Sequence, residues 1–328
     1  MIRYHFGSDD LLRTRFAITP VFELIGAVYA LREPRRYSVH RPWVEWARPR
    51  IAQLDLRLLD VATPAGGPYW PVFCGPPPRV PRAEIDDELA RVGATQPDRV
   101  AAEIARSYPT GVPAIGRLFL DDPARARDRL VTQMRSFWDV ALAPWWSAIS
   151  ALLESEVAWR ARRLASVGPQ AAFAGLHDTV SWHDDRLIVA PTSKAAEDVE
   201  LGGRGLLLVP AAFTWPSVWP RTDPPWEPAL VYPPPGVADL WNASEPPNGA
   251  LERLIGSGRA RVLLELERPA ATLDLAARIG SSPGGISQHL RVLREAGLVV
   301  ARREGRWVIY SRTATGDALC AHGRSGRS

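Results

Sequence analysis

Lysine is nearly missing from this chain: among 40 lysines and arginines, Lys194 is the only lysine. Positive charge therefore rests on arginine, a compositional bias with no mechanistic content. Cysteine is scarce as well. Cys74 precedes a Gly-Pro-Pro-Pro run and Cys320 falls in the polar tail, so two free thiols in a reducing compartment are expected rather than a disulfide framework. No basic-then-apolar leader opens the chain, since Met1 to Asp10 is polar. The uncharged run Gly205–Pro220 holds three prolines and is too short to cross a bilayer as a helix. A cytoplasmic protein without a membrane partner is expected.

Catalytic signatures are absent too. No Ser-His-Asp arrangement or paired-carboxylate motif stands out. Gly202-Gly203-Arg204-Gly205 lacks the Gly-Lys-Ser/Thr ending and the following helix of a phosphate loop, and reads as a hairpin turn. His177, His183, Asp184 and Asp185 match no zinc spacing, and Trp182–Arg186 reads as a loop between strands. The expectation is a non-enzyme without cofactor or metal.

The charge that is present lies unevenly. Glu245–Ser328 holds 13 Arg against 8 Asp and Glu, or +5, while the remainder holds 27 Lys+Arg against 28 acids, or −1. The surplus coincides with the most informative stretch, Leu273 to Arg312. A first amphipathic segment offers Leu273, Ala276, Ala277 and Ile279 as its apolar face. Gly280-Ser281-Ser282-Pro283 then breaks and restarts the helix, with Ser282 as cap and Pro283 in the first turn. Ile286, Leu290 and Leu293 follow at i, i+4 and i+7, one helical face toward a core. The opposite face carries Gly284, Gly285, Ser287, Gln288 and Arg291, small or polar residues suited to a major groove. His289 sits in the same helix, with a structural or phosphate contact expected rather than a ligand role. Leu298–Ala301 and Trp307–Tyr310 read as two strands joined by the tip Arg302-Arg303-Glu304-Gly305-Arg306. A tip cannot bury three arginines, and phosphate or minor-groove contact explains them. This is the order of a winged helix-turn-helix. Ser282, Gly284, Gly285, Ser287, Gln288, His289, Arg291, Arg302, Arg303 and Arg306 form the expected DNA-binding set.

The run Ile286–Val299, ISQHLRVLREAGLV, closely resembles the recognition helix and wing turn of the ArsR-type family of bacterial winged-helix transcription factors. The resemblance begins near Leu251. It implies that Ser287, Gln288 and Arg291 face DNA and that Arg302, Arg303 and Arg306 form the wing. Founding members sense metals through cysteines on the helix before the recognition helix. Here that helix reads Leu273–Arg278 without cysteine, so metal sensing does not carry over. The helix from Gly249 and the segment after Thr313 are the dimer-interface candidates that the resemblance implies.

Ahead of this segment the pattern is helical at first. Helices are expected over Asp9–Leu31, Trp43–Leu59, Glu84–Val92, Pro97–Tyr108 and Ala124–Leu164, the last broken or kinked at Pro144. Asp86-Asp87-Glu88 and Asp121-Asp122 read as helix-start charges. Strands are expected at Arg186–Ala190, Leu206–Val209 and Ala229–Tyr232. The fold class is α+β. An N-terminal regulatory or dimerisation domain spans 1–240, helical to about 170 and β-rich over about 175–235. A connector over 241–248, a winged domain over 249–320 and a flexible tail over 321–328 follow. Asp10–Ala17 and Leu206–Pro210 leading to Leu230–Pro233 resemble an uncharacterised region found upstream of ArsR-type domains in actinobacterial regulators, which implies architecture only.

Twelve of the 13 tryptophans precede the winged segment. They are core and interface residues, or some of them line a pocket for a small apolar effector. The expected function is a sequence-specific regulator, a homodimeric repressor on double-stranded DNA. Its operator would be an inverted repeat with half-sites about 34 Å apart.

Overall fold

A computed structural model gives the fold. It describes residues 1–64, 69–190, 196–222, 227–241, 250–304 and 307–323, with the side chains of 250, 252, 253, 304, 307 and 321–323 left out. Arg306, Trp226 and most of the expected connector and tail lie outside the described residues. Two compact units result: Met1–Leu142 with Ile149–Ser244, and Glu245–Ser328 with Ala143–Ala148.

The first unit opens with β1 (Ile2–His5), α1 (Ser8–Arg13), β2 (Arg15–Phe16) and α2 (Pro20–Arg32). Helices α3 (Arg41–Ile51), α4 (Arg57–Ala62), α5 (Ile85–Gly93), α6 (Pro97–Ser107), α7 (Leu118–Asp121), α8 (Pro123–Phe137), α9 (Trp146–Val167) and α10 (Pro169–Phe173) follow. The expected helix Trp43–Leu59 is two helices, since Pro49 sits in the last turns of α3 and the chain turns before α4. Around Pro144 the helix gives way to a π turn at Trp138–Leu142 and a 3-10 turn at Ala143–Trp145. The strands are β3 (Val180–His183), β4 (Arg186–Val189), β5 (Glu197–Glu200), β6 (Leu207–Pro210), β7 (Trp219–Arg221) and β8 (Ala229–Tyr232).

Two four-stranded sheets form, in the orders β3-β4-β1-β5 and β2-β6-β8-β7. In the first, β1 runs antiparallel to β4 and parallel to β5. The β3–β4 hairpin closes on Asp184 and Asp185, whose φ of 47° and 55° are those of a type I′ turn. In the second, β2, β6 and β8 are parallel and β7 antiparallel. All four residues of β6 and of β8 are buried, which is why they read as unbroken apolar runs. Helix α2 is buried nearly all round and lies against the turn Ala212–Thr214 that follows β6. Gly26 permits this: a Cβ there would sit 2.5 Å from the Phe213 Cβ and 2.6 Å from its carbonyl oxygen.

The second unit contains α11 (Ala250–Ile255), α12 (Ser257–Glu265), β9 (Ala270–Ala271), α13 (Thr272–Ile279) and α14 (Pro283–Glu295). It ends with β10 (Val299–Glu304), β11 (Trp307–Arg312) and α15 (Ala314–Gly323). Its core is aliphatic: Leu263, Leu275, Ile279, Ile286, Leu290 and Leu293 are among the buried members. Cys320 is not part of a polar tail. It is buried in this core, with its thiol 3.8 Å from the Leu263 carbonyl. The apolar face of α13 is Leu275, Ala276 and Ile279, whereas Leu273 and Ala277 are exposed. No helix among the described residues is long and apolar enough to cross a membrane.

Candidate nucleic-acid interface

The turn between α13 and α14 is built from local chemistry. Gly280 takes the left-handed conformation at φ 69°, and Ser281 N–H reaches back to the Ala276 carbonyl at 3.0 Å. The Ser282 hydroxyl then caps α14 by accepting from Gly285 N–H at 3.2 Å, with Pro283 in the first turn. At the other end Gly297 is left-handed, and Leu298 N–H bonds the Leu293 carbonyl at 2.9 Å, turning the chain into β10.

Ile286, Leu290 and Leu293 anchor α14 in the core. The register leaves Ser282, Gly284, Ser287, Gln288 and Arg291 exposed and Gly285 half-buried. Neither Ser287 nor Gln288 has a side-chain hydrogen bond among the described residues. Their donors and acceptors are available to base edges. Arg291 lies 3.9 Å from Glu295, a loose and exposed pair. His289 is placed differently. It is half-buried and packs against Gly258 of α12, where a Cβ would come within 2.5 Å of its Nε2. That contact turns His289 toward the protein, away from the Ser287–Gln288 face.

The wing is longer than the pattern suggested. β10 and β11 pair in register from Val299↔Arg312 to Glu304↔Trp307, and Ala270 and Ala271 of β9 add to the β11 edge. Arg302 and Arg303 are therefore exposed strand residues rather than tip residues. As neighbours on a strand they point to opposite faces. Gly305 and Arg306 lie outside the described residues.

Elsewhere the expected candidates do not assemble. His177 is tied to Thr179 Oγ1 at 2.8 Å and to the Pro216 carbonyl at 3.0 Å, while His183 is exposed beside Asp184. No group of three potential metal ligands occurs among the described residues. Gly202, Gly203 and Gly205 adopt left-handed turn conformations ahead of β6.

The polar groups that the pattern missed lie inside the first unit. Glu23, fully buried, accepts from Ala212 N–H at 2.6 Å and Phe213 N–H at 2.9 Å. Burial pushes its carboxyl up to about 7 against these two bonds. Glu88 lies in the first turn of α5, where it read as a helix-start charge, and it is buried there. It accepts from Thr19 Oγ1 at 2.5 Å and from Val21 N–H at 3.0 Å, and burial raises it to about 7 as well. His40, also fully buried, stacks on Phe213 at 4.2 Å with Trp241 edge-on at 5.6 Å. Burial holds its imidazole neutral, down to about 3. Nothing in the linear pattern distinguishes these from surface charges, because their partners are remote in sequence.

Two stretches of the chain match known families. Residues 259–302 match a family described as a helix-turn-helix domain. Residues 94–237 match a family of unknown function, DUF5937, which covers part of the first unit. The HTH-type transcriptional regulator NmtR of Mycobacterium tuberculosis is 42% identical over 62 residues, which are 19% of this chain and 52% of that regulator. The chain thus spans about half the length of the curated relative it matches. No solved structure matches. The second unit is accordingly an ArsR-type helix-turn-helix domain, and it is joined to a DUF5937 region of unknown function.

Proposed function

We propose that this protein is a sequence-specific transcriptional repressor that binds an inverted-repeat operator as a homodimer, with its first unit responding to a small apolar effector. The carrying observation is the exposed α14 face, where Ser287 and Gln288 have no internal partner among the described residues. Gln288 is suited to a bidentate contact with adenine, and such a contact is worth about 1–3 kcal/mol of discrimination. Ser282, Gly284, Gly285 and Arg291 lie on or beside the same surface. Arg302, Arg303 and Arg306 supply sequence-independent phosphate contacts from the wing. Dimerisation through α11 and α15 is supported by Leu254 on α11, which is 69% exposed. The reading is of a regulator rather than an enzyme, acting in the cytoplasm.

The test is selection of bound duplexes from a random pool at two salt concentrations. An enriched inverted repeat that Gln288→Ala relaxes is the expected result. Salt-sensitive binding with no enriched motif would overturn sequence-specific regulation. A second reading makes the first unit a scaffold without ligand, favoured by the closed packing of His40, Phe213, Trp43 and Trp241. A thermal-shift screen separates the two, since only a ligand bound by the folded state raises the melting temperature.

A further inference from the structure

The stripe Ile286, Leu290 and Leu293 settles which side of α14 faces the core. It does not by itself settle the roll of the helix about its own axis, because aliphatic side chains repack around small rotations at little cost. Roll matters for reading. Side-chain tips stand about 5–6 Å from a helix axis, so a roll of about 20° carries them about 2 Å. A base-edge hydrogen bond works only over donor–acceptor distances of about 2.7–3.2 Å. The attraction of a charge to a phosphate falls off far more slowly with distance.

His289 is placed to fix that roll. Successive residues lie about 100° apart around a helix. His289 therefore occupies the flank of α14, half-buried between exposed Gln288 and buried Leu290. Its ring edge meets α12 at Gly258. A Cβ on Gly258 would lie 2.5 Å from Nε2, 3.0 Å from Cε1 and 3.3 Å from Cδ2. Three ring atoms thus rest where a side chain would stand, and only glycine leaves that space open. Gly258 belongs to the first turn of α12, which Ala260 N–H closes on the Gly256 carbonyl at 3.0 Å. Ala260, Val262 and Leu263 anchor the same helix in the core of the unit. The seat is therefore fixed backbone, and the ring cannot roll inward past it.

We propose that His289 is a positioning residue for base reading. By seating on Gly258 it fixes the roll of α14, and so the aim of Ser287 and Gln288, without touching DNA itself. The proposal rests on the reading of α14 as the helix that meets base edges.

The experiment compares the full chain with Gly258→Ala, His289→Ala and the double variant Gly258→Ala/His289→Ala. Each is titrated with a duplex that the parent protein enriches from a random pool, and with a scrambled duplex of equal length and composition. Calorimetry fixes a temperature at which all four chains are folded. In Gly258→Ala the new methyl displaces the tip of a side chain rather than backbone, and alanine is the better helix former, so its melting temperature should not fall. Its preference for the enriched duplex should drop about tenfold, the worth of one bidentate base contact. Its affinity for the scrambled duplex should stay within about twofold of the parent, since phosphate contacts carry that binding. His289→Ala should lose preference in the same way. The double variant should match His289→Ala, because the methyl then meets no ring. An unchanged preference in Gly258→Ala would overturn the proposal. So would equal weakening of both duplexes by His289→Ala, the mark of a phosphate contact, or separate losses that add in the double variant. A parent with no preference for any duplex would sink the base-reading role of α14, and the positioning role with it.

Discussion

The two units of this chain treat polar residues in opposite ways. The first unit buries a set of titratable side chains, Asp10, Glu23, His40, Glu88, Glu103, Glu156 and Arg160. Several bond to main-chain amides that are distant in sequence, as Glu103 does with Phe73 N–H at 2.8 Å. The core of the second unit is aliphatic apart from Cys320, and most of its polar residues lie on the surface, Arg312 being an exception with its side chain 8% exposed beside Asp317. A unit that keeps its hydrogen-bonding groups outside has them available for another molecule. A unit that buries them has made them part of its own architecture. The difference teaches that the second unit keeps its polar groups outward, whereas the first is held together in part by buried groups whose protonation changes with pH.

This contrast can be broken most directly at Glu23. Glu23→Ala leaves two buried amides unpaired and opens a cavity against Phe213, so it should cost the first unit about 2–5 kcal/mol. Urea unfolding followed by tryptophan fluorescence, dominated by the twelve tryptophans ahead of Glu245, would show it. A loss below about 1 kcal/mol would mean the carboxylate is not structural.

The pH response sharpens the same point. Glu23 and Glu88 stay protonated to about 7 in the folded state, above the ordinary carboxylate value of 4.5. The unfolded chain releases those protons first, so stability present at acid pH is lost as pH rises from about 4.5 through about 7. Each group contributes a slope of up to about 1.4 kcal/mol per pH unit. His40 acts oppositely. Its folded value near 3 lies below the ordinary 6.5, so it removes stability as pH falls from about 6.5 toward 3. Together they place the optimum of the first unit on the acid side of neutrality. Denaturation midpoints at pH 5, 6, 7 and 8 should decline, and Glu88→Gln should flatten the decline. A flat profile in the parent protein would refute the assignment.

Smaller effects belong to the second unit. Ser282→Ala removes the cap of α14 and should cost that unit about 1 kcal/mol, seen as a lower second transition in calorimetry with the first unmoved. Arg303→Ala should weaken all duplexes alike and reduce the dependence of log affinity on log salt by about 0.9. A change confined to one sequence would instead make Arg303 a base reader.

What was legible in the sequence follows from how local each interaction is. The cap Ser282-Pro283, the Ile286–Leu290–Leu293 stripe and the left-handed Gly280 and Gly297 are set within a few residues. The turn and recognition helix were therefore readable. The α+β class and the parallel core strands β6 and β8 were readable from their apolar runs. β1, β5 and β7 were not, because each is three or four residues long and owes its conformation to a partner strand elsewhere. Leu273 was misjudged because α13 uses Leu275, Ala276 and Ile279 to meet the core. The wing arginines were misplaced because cross-strand pairing extends β10 to Glu304. The burial of Glu23 was not legible because it is settled by residues as distant as Phe213.

The pairing of β1 with β4 and β5 has a consequence for how the protein is made. Ile2 waits for Val189 and Glu197, and Arg15 for Leu207. At roughly 5–20 residues per second, a ribosome delivers those partners about ten to forty seconds after β1 and β2. The residues of β1 are thus made long before the strands they pair with, and its apolar members Ile2 and Tyr4 stay uncovered meanwhile. The strand pairings of the second unit all lie within Ala270–Arg312 and have no such delay. Chaperone demand during synthesis should therefore fall on β1.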